Sequence, residues 1–72
     1  MPMSMVGVGG RARVMAISGQ EAVRRHLGSL GFVPGVVVGV VQVSCGNMIV
    51  GLQDSRIALN MDLARRIMVE TA

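Results

Sequence analysis

The side chains that most often carry catalysis or bind metals are few in this chain and are far apart in sequence. There is one histidine, His26, and one cysteine, Cys45. We place His26 at the edge of a predicted helix stripe, a position more typical of a core border than of a ligand. Cys45 falls in a predicted turn, and no sequence neighbour supplies a base or cation that would form a thiolate. The two together would supply at most half of a zinc site, so we predict no metal site.

The acidic residues leave no couple for general acid–base catalysis. Glu21 is accounted for by a capping box, Asp54 by a turn and Asp62 by a helix start, which leaves Glu70 alone. The glycine pairs are not phosphate loops, because no lysine followed by serine or threonine accompanies them. We therefore predict no catalytic residue, no cofactor-binding residue and no enzymatic activity.

Arginine supplies all of the positive charge, and the formal net charge is +3. Two adjacent pairs stand out, Arg24-Arg25 and Arg65-Arg66. Such pairs are either solvated surface or a docking site for an acidic partner. Modules that bind nucleic acid usually add stacking aromatic side chains, and Phe32 is the one aromatic residue here. We predict no nucleic-acid partner.

Length and hydrophobicity predict one small domain with an exposed apolar patch. The chain has 72 residues, which we treat as a single domain over 1–72, and 51% of them are hydrophobic. A core of this size cannot bury them all, and exposed apolar patches commonly mark partner surfaces. The uncharged stretch 32–53 is long enough for a membrane span, but Gln42 and Asn47 lie near its middle. Two strands joined by a turn explain it better.

The stretch Ser18–Gly35 predicts the main helix. Ser18 and Glu21 have the spacing of a capping box, and Gly31 is placed to end the helix in a left-handed turn. Pro34-Gly35 predicts the turn that follows. Three apolar residues at helical spacing form a stripe: Val23, Leu27 and Leu30.

Short segments with strand character surround this helix. They are Arg11–Ile17, Val36–Val43, Met48–Leu52, Arg56–Leu59 and Ile67–Val69. In the first of them, we expect Ala12, Val14 and Ala16 to face inward. Gly39 suggests a bend or bulge, and Asn60 can cap a helical turn over Met61–Ala64. The pattern predicts a mainly β fold, a small closed barrel of five strands, with residues 1–6 loose.

Four segments together resemble the FeoA family. They are G-R-A-R-V (10–14), R-R-x-L-x-x-L-G-F-x-P-G (24–35), R-I-A-L (56–59) and A-R-R-I-x-V (64–69). The resemblance runs from Val8 to Glu70. It implies a small SH3-like five-stranded barrel with one α-helix after the first strand and a short helical turn before the last.

The resemblance also implies a function. FeoA proteins are small bacterial accessory proteins of ferrous iron transport and work with FeoB, a membrane transporter with a cytoplasmic GTPase domain. We therefore expect a cytoplasmic, non-enzymatic protein, held at the inner face of the membrane through an FeoB-like partner. The residues that we expect to bind the partner are Arg24, Arg25, Leu27, Leu30 and Phe32.

Several alternatives stay open at this point. A GTPase-activating effector would donate an arginine, with Arg24 or Arg25 as candidates. An SH3-type peptide-binding adaptor would need an aromatic cradle, against which a single Phe argues. A metal chaperone would bind Fe(II) directly. The apolar run Val36–Val43 raises self-association into a homo-oligomer as a further expectation.

Overall fold

The computed structural model describes residues 1–72 as five strands and two α-helices around one apolar core. In chain order the elements are β1 (Arg11–Ile17), α1 (Glu21–Ser29), β2 (Val37–Ser44), β3 (Asn47–Gly51), β4 (Arg56–Asn60), α2 (Met61–Ala64) and β5 (Ile67–Thr71). This confirms a mainly β fold with one helix after the first strand and a helical turn before the last. No helix reaches the length and apolar character that a membrane crossing requires.

The strands form one antiparallel sheet in the order β4-β3-β2-β1-β5. The sheet does not close, because β4 and β5 are not paired with each other. Residues at the start of the chain occupy the outer edge of β5 instead. Pro2 pairs with Met68. The N-terminal ammonium of Met1 donates to the carbonyl oxygen of Val69 at 2.8 Å, and the main-chain N–H of Val69 donates to the carbonyl oxygen of Met1 at 2.7 Å. The predicted closed barrel is therefore corrected to an open sheet whose β5 edge is covered.

The first six residues, which the sequence predicts to be loose, pack against the rest of the fold in the structure. Residues Met3–Met5 form a short 3₁₀ helix, and Val6 donates its main-chain N–H to the carbonyl of Met3 at 3.0 Å. The side chain of Met3 is fully buried and that of Val6 nearly so. Hydrophobic burial therefore fixes a segment whose composition alone suggests flexibility.

Helix α1 begins later than the capping box predicts. Its N-cap is Gln20, with no side-chain capping bond. The N–H and hydroxyl of Ser18 instead donate to the carbonyl oxygen of Arg66, at 2.7 and 3.3 Å. Gly19, with φ +112°, then turns the chain into the helix. The capping box is wrong because a tertiary contact takes the serine that would have formed it.

The end of α1 confirms the predicted left-handed turn. Gly31 has φ +109° and donates its N–H to the carbonyl of Gly28 at 3.0 Å, and Phe32 donates to the carbonyl of Leu27 at 3.2 Å. These two bonds define a Schellman motif. Leu27 and Phe32 are both fully buried, so the motif joins the helix to the core. The turn after it closes with a bond from the N–H of Val36 to the carbonyl of Val33 at 3.1 Å.

Two irregularities in the strands differ from the predictions. A register shift in the β1–β5 pair falls between Val14 and Ala16, so Ala16 is exposed although alternation predicts it inward. The second shift, in the β2–β3 pair, falls between Val40 and Gln42 and not at Gly39. A bulge adds one residue to one strand and reverses the alternation beyond it.

The remaining turns and the core follow the sequence closely. Asn60 caps α2 by accepting the N–H of Leu63 at 2.8 Å. The β2–β3 hairpin turns on Cys45 and Gly46, which have φ of 48° and 77° and suit a two-residue turn. Every buried residue is apolar: Met3, Val6, Ala12, Val14, Leu27, Phe32, Val38, Val40, Met48, Val50, Leu59, Ala64, Ile67 and Val69.

Candidate partner-binding surface

A shallow groove of about 290 Å³ lies between the end of β1, helix α1 and the turn after it. The β1 bulge builds one wall, because it leaves Met15 and Ala16 exposed on the same stretch of strand. The turn that contains Pro34 also lines the groove. The residues that line the groove are Met15, Ala16, Ile17, Arg24, Gly28, Phe32, Val33 and Pro34. We call this surface the helix groove.

The helix groove is mostly apolar and open at its floor. Met15 and Val33 expose 50% and 48% of their surface, which is unusual for large apolar residues in a small domain. A Cβ atom built on Gly28 would meet no atom within 4 Å. A glycine inside a helix lowers stability by roughly 1 kcal/mol relative to alanine. No steric clash requires glycine at position 28, and its lack of a side chain leaves open space in the groove.

The charge of the helix groove comes from Arg24. Arg25 is held in the helix by Glu21, with a nitrogen–oxygen distance of 2.8 Å. The other ion pairs join Arg13 to Glu70 at 3.5 Å and Arg65 to Asp62 at 2.7 Å. Arg24 has no carboxylate within ion-pairing distance. Arg24 therefore contributes a positive charge to a mostly apolar groove and makes no ion pair.

The five residues that the sequence predicts to bind a partner differ in exposure and in contacts. Arg24 lines the helix groove, whereas Arg25 is exposed and engaged with Glu21. Leu27 and Phe32 are fully buried, so they support the groove from within and have no surface to offer a partner. Leu30 is half-buried and packs against the core.

Sequence reasoning missed the apolar walls of the groove, Met15 and Val33. The alternation within Arg11–Ile17 predicts Met15 on the outer face of its strand, and that placement already indicates exposure. The position of Val33 beside the Pro34-Gly35 turn gave no comparable signal, because its exposure depends on how the turn packs against α1.

The two residues considered for metal binding are both exposed. His26 lies on the outer side of α1 and not at the core border that its position in the stripe predicts. Cys45 lies in the β2–β3 turn. No group of three or more histidine, cysteine, aspartate or glutamate side chains comes together in the structure.

The chain matches the model of the FeoA domain family over residues 1–71. It is similar to the solved structure of an iron uptake regulatory protein, FeoA, at 33% identity and TM-score 0.91, covering 100% of this chain and 96% of that one. It is similar to the zinc complex of Stenotrophomonas maltophilia FeoA, described as a prokaryotic SH3 domain protein, at 29% identity and TM-score 0.86, covering 97% and 89%. FeoA from Chlorobium tepidum gives 27% identity and TM-score 0.89, covering 99% and 70%.

The fold extends beyond these proteins. A manganese-dependent transcriptional repressor superposes at TM-score 0.91 with 19% identity over 41% of its own chain, which shows a shared fold alone. No curated protein sequence matches this chain. The family match and the FeoA structures cover nearly all of it, and they agree with the order of strands and helices described above. The chain therefore belongs to the FeoA family, the SH3-like accessory proteins of ferrous iron transport.

Proposed function

We propose that this protein is a cytoplasmic accessory factor that binds an FeoB-like membrane transporter and supports its uptake of ferrous iron. The observation that carries the proposal is the helix groove, an apolar depression bordered by the uncompensated charge of Arg24. Membership of the FeoA family supplies the transport context. The fold alone would not assign a function, because SH3-like domains serve many.

The chemistry of the helix groove defines what the partner must present. An apolar side chain would fill the space above Gly28 and contact Met15 and Val33. A neighbouring carboxylate would accept hydrogen bonds from the guanidinium of Arg24. A charge-assisted bond of this kind is strongest where water is excluded, and the apolar walls provide that exclusion. The partner surface is therefore an apolar residue beside an acidic one.

A second function, activation of the transporter's GTPase, is favoured by the same arginine. An arginine donated in trans to a GTPase must be free of internal ion pairs, and of the two candidates only Arg24 is. Such a residue can raise the hydrolysis rate by about 10³–10⁵. An adaptor with an aromatic cradle is disfavoured, because Phe32 is fully buried and supplies no aromatic surface.

The test compares two variants of equal charge change. Arg24→Glu should weaken binding to the solubilised cognate transporter by about tenfold or more, because it replaces an attraction by a repulsion. Arg25→Glu is the matched control, one residue away and already paired with Glu21; it should have a much smaller effect. Binding and GTP hydrolysis are measured together in each nucleotide state. Equal loss in both variants would remove the helix groove from the interface.

A third variant tests the groove by filling it. Gly28→Met places a side chain where a Cβ meets nothing within 4 Å, and it removes a helix glycine. We expect a fold at least as stable as the parent, measured by urea unfolding, and loss of transporter binding. Normal binding by a folded Gly28→Met protein would contradict the proposed docking site. Binding without a change in GTP hydrolysis would favour an assembly role over activation.

A further inference from the structure

A second and larger cleft, of about 790 Å³, lies on the outer face of the sheet and shares no lining residue with the helix groove. Its base is a row of directly opposed residues that crosses four strands. Arg11 of β1 faces Gly39 of β2, Gly39 faces Gly51 of β3, and Gly51 faces Arg56 of β4. Directly opposed residues project from the same face of a sheet. The row is therefore a bare floor of main chain with an arginine at each end, which we call the glycine floor.

The fold itself does not demand either glycine of this floor. Neither Gly39 nor Gly51 has a positive φ. A Cβ on Gly39 would lie 3.9 Å from the carbonyl oxygen of Gly10, and one on Gly51 would lie 3.6 Å from a methyl of Val41, which are ordinary contacts. Glycine weakens a strand interior and commonly marks a place where a ligand or another backbone approaches closely. Two such glycines lie side by side although the fold does not require them. They indicate that a ligand or another backbone approaches this face of the sheet closely.

The two arginines of the floor are uncompensated. All three ion pairs in the protein use other arginines, so neither Arg11 nor Arg56 has a carboxylate within ion-pairing distance. Both are exposed, and both line the cleft. The one acidic residue of the lining, Asp54, lies in the turn between β3 and β4 and makes no ion pair. The cleft therefore carries two positive charges and one negative charge.

The spacing of these charges selects the shape of the ligand. Three inter-strand steps separate Arg11 from Arg56, about 15 Å between their Cα atoms. An extended peptide rises about 3.3 Å per residue, so two acidic side chains four residues apart span a similar distance. Val37 and Val41 also line the cleft and offer contact to an apolar side chain between them. Asp54 can accept an N–H from the peptide main chain, whereas it would repel a compact polyanion.

We propose that the glycine floor binds an extended acidic segment of a partner protein, with a carboxylate at each arginine and the main chain laid against Gly39 and Gly51. This recognition works by charge and by close backbone approach, so it needs no aromatic cradle. It is a second docking site, and it does not depend on the helix groove being one.

The experiment is a titration of the ¹⁵N-labelled protein with the blocked peptide acetyl-Glu-Gly-Val-Gly-Glu-amide, followed by NMR at the amides of Gly39 and Gly51. We expect saturable shifts centred on these two residues, and weakening by about tenfold when the peptide carries Gln in place of Glu. Arg11→Gln and Arg56→Gln should each weaken binding by about tenfold. Arg65→Gln removes the same charge outside both the cleft and the helix groove and should leave the affinity unchanged.

Filling the floor gives a test that does not alter charge. Gly51→Ala should stay folded, since its Cβ meets only ordinary contacts, and should lose most of the peptide affinity. Either of two results would overturn the proposal. One is the absence of shifts at Gly39 and Gly51 at about 10-fold molar excess of peptide, and the other is that the Gln peptide binds as tightly as the Glu peptide. Tighter binding of inorganic pyrophosphate than of the peptide would also overturn it, in favour of a phosphate site. None of these outcomes bears on transporter binding through Arg24.

Discussion

Leu27 and Leu30 lie on the same apolar stripe of α1, yet their surroundings differ. Leu27 is fully buried within the core, whereas Leu30 is half-buried at the C-cap, one position beyond the helix. Truncation of a buried leucine removes its hydrophobic contacts and leaves a cavity, and the cost rises with the volume that cannot collapse. The two positions should therefore respond unequally to the same substitution.

We predict that Leu27→Ala lowers the free energy of unfolding by about 2–5 kcal/mol. Leu30→Ala should cost less than half as much, because part of its side chain already contacts solvent. Urea unfolding of both variants under one set of conditions measures the difference. Equal losses would mean that the C-cap leucine is as deeply packed as the helix interior, contrary to the structure.

Arg24 and Arg25 show how far the ion pairing of single residues can be predicted from the sequence. The spacing of Glu21 and Arg25 is that of a favourable ion pair on a helix, and the structure contains it. The spacing of Ser18 and Glu21 predicts a capping box instead, and with Glu21 in that role Arg24 and Arg25 are equivalent. The two arginines differ only if Glu21 is free to pair with Arg25 rather than to cap the helix. Ser18 does not form the capping box because its hydroxyl donates to the carbonyl of Arg66, 48 residues away.

At the scale of elements, local chemistry specified most of the structure. Strands and turns were placed within one or two residues because β-branched runs, Pro34-Gly35 and the Cys45-Gly46 turn have strong intrinsic preferences. The bulge predicted at Gly39 lies between Val40 and Gln42, and the bulge of β1 was not predicted, since a register shift is a property of two paired strands and not of one. The end of α1 was predictable because its left-handed turn requires a positive φ, which Gly31 adopts readily.

Gly31 should accordingly be among the least replaceable glycines of the chain. Its φ of +109° is one that residues with a Cβ rarely adopt, and a Cβ there would approach the Cδ1 of Leu52 to 3.3 Å. We predict that Gly31→Ala lowers the free energy of unfolding by about 1–2 kcal/mol. The matched control is Gly28→Ala inside α1, which should stabilise by up to about 1 kcal/mol. Thermal and urea unfolding that ranked the two variants in the opposite order would exclude the Schellman motif.

At the scale of the whole molecule, the open sheet has consequences for how its edges and faces are protected. The N-terminal residues pair with the β5 edge, while β4 stands at the other end of the sheet. Val41 and Val43 of β2 remain exposed at 37% and 41%. Self-association through this apolar strand stays a prediction, and sedimentation at increasing concentration tests it. The position of the N-terminal segment is not predictable from local sequence, since its pairing partner Met68 lies almost at the other end of the chain.

The N-terminal segment gives the last prediction, because two methionines of one short turn differ completely in burial. Met3 is fully buried, whereas Met5 exposes 71% of its surface. Met3→Ala should lower the free energy of unfolding by about 2–5 kcal/mol, since it empties part of the core beneath β5. Met5→Ala should stay within about 0.5 kcal/mol of the parent.

Urea unfolding of the two methionine variants distinguishes two descriptions of the molecule. If the segment were a loose extension, both substitutions would be neutral, and the core would end at β1 and β5. If it completes the fold, Met3→Ala alone is destabilising, and amide hydrogens of Met68 and Val69 exchange faster in that variant. The main-chain bonds between Met1 and Val69, at 2.7 and 2.8 Å, lead us to expect the second result. The start of the chain is then a structural part of the sheet. It covers the outer edge of β5, which does not pair with β4.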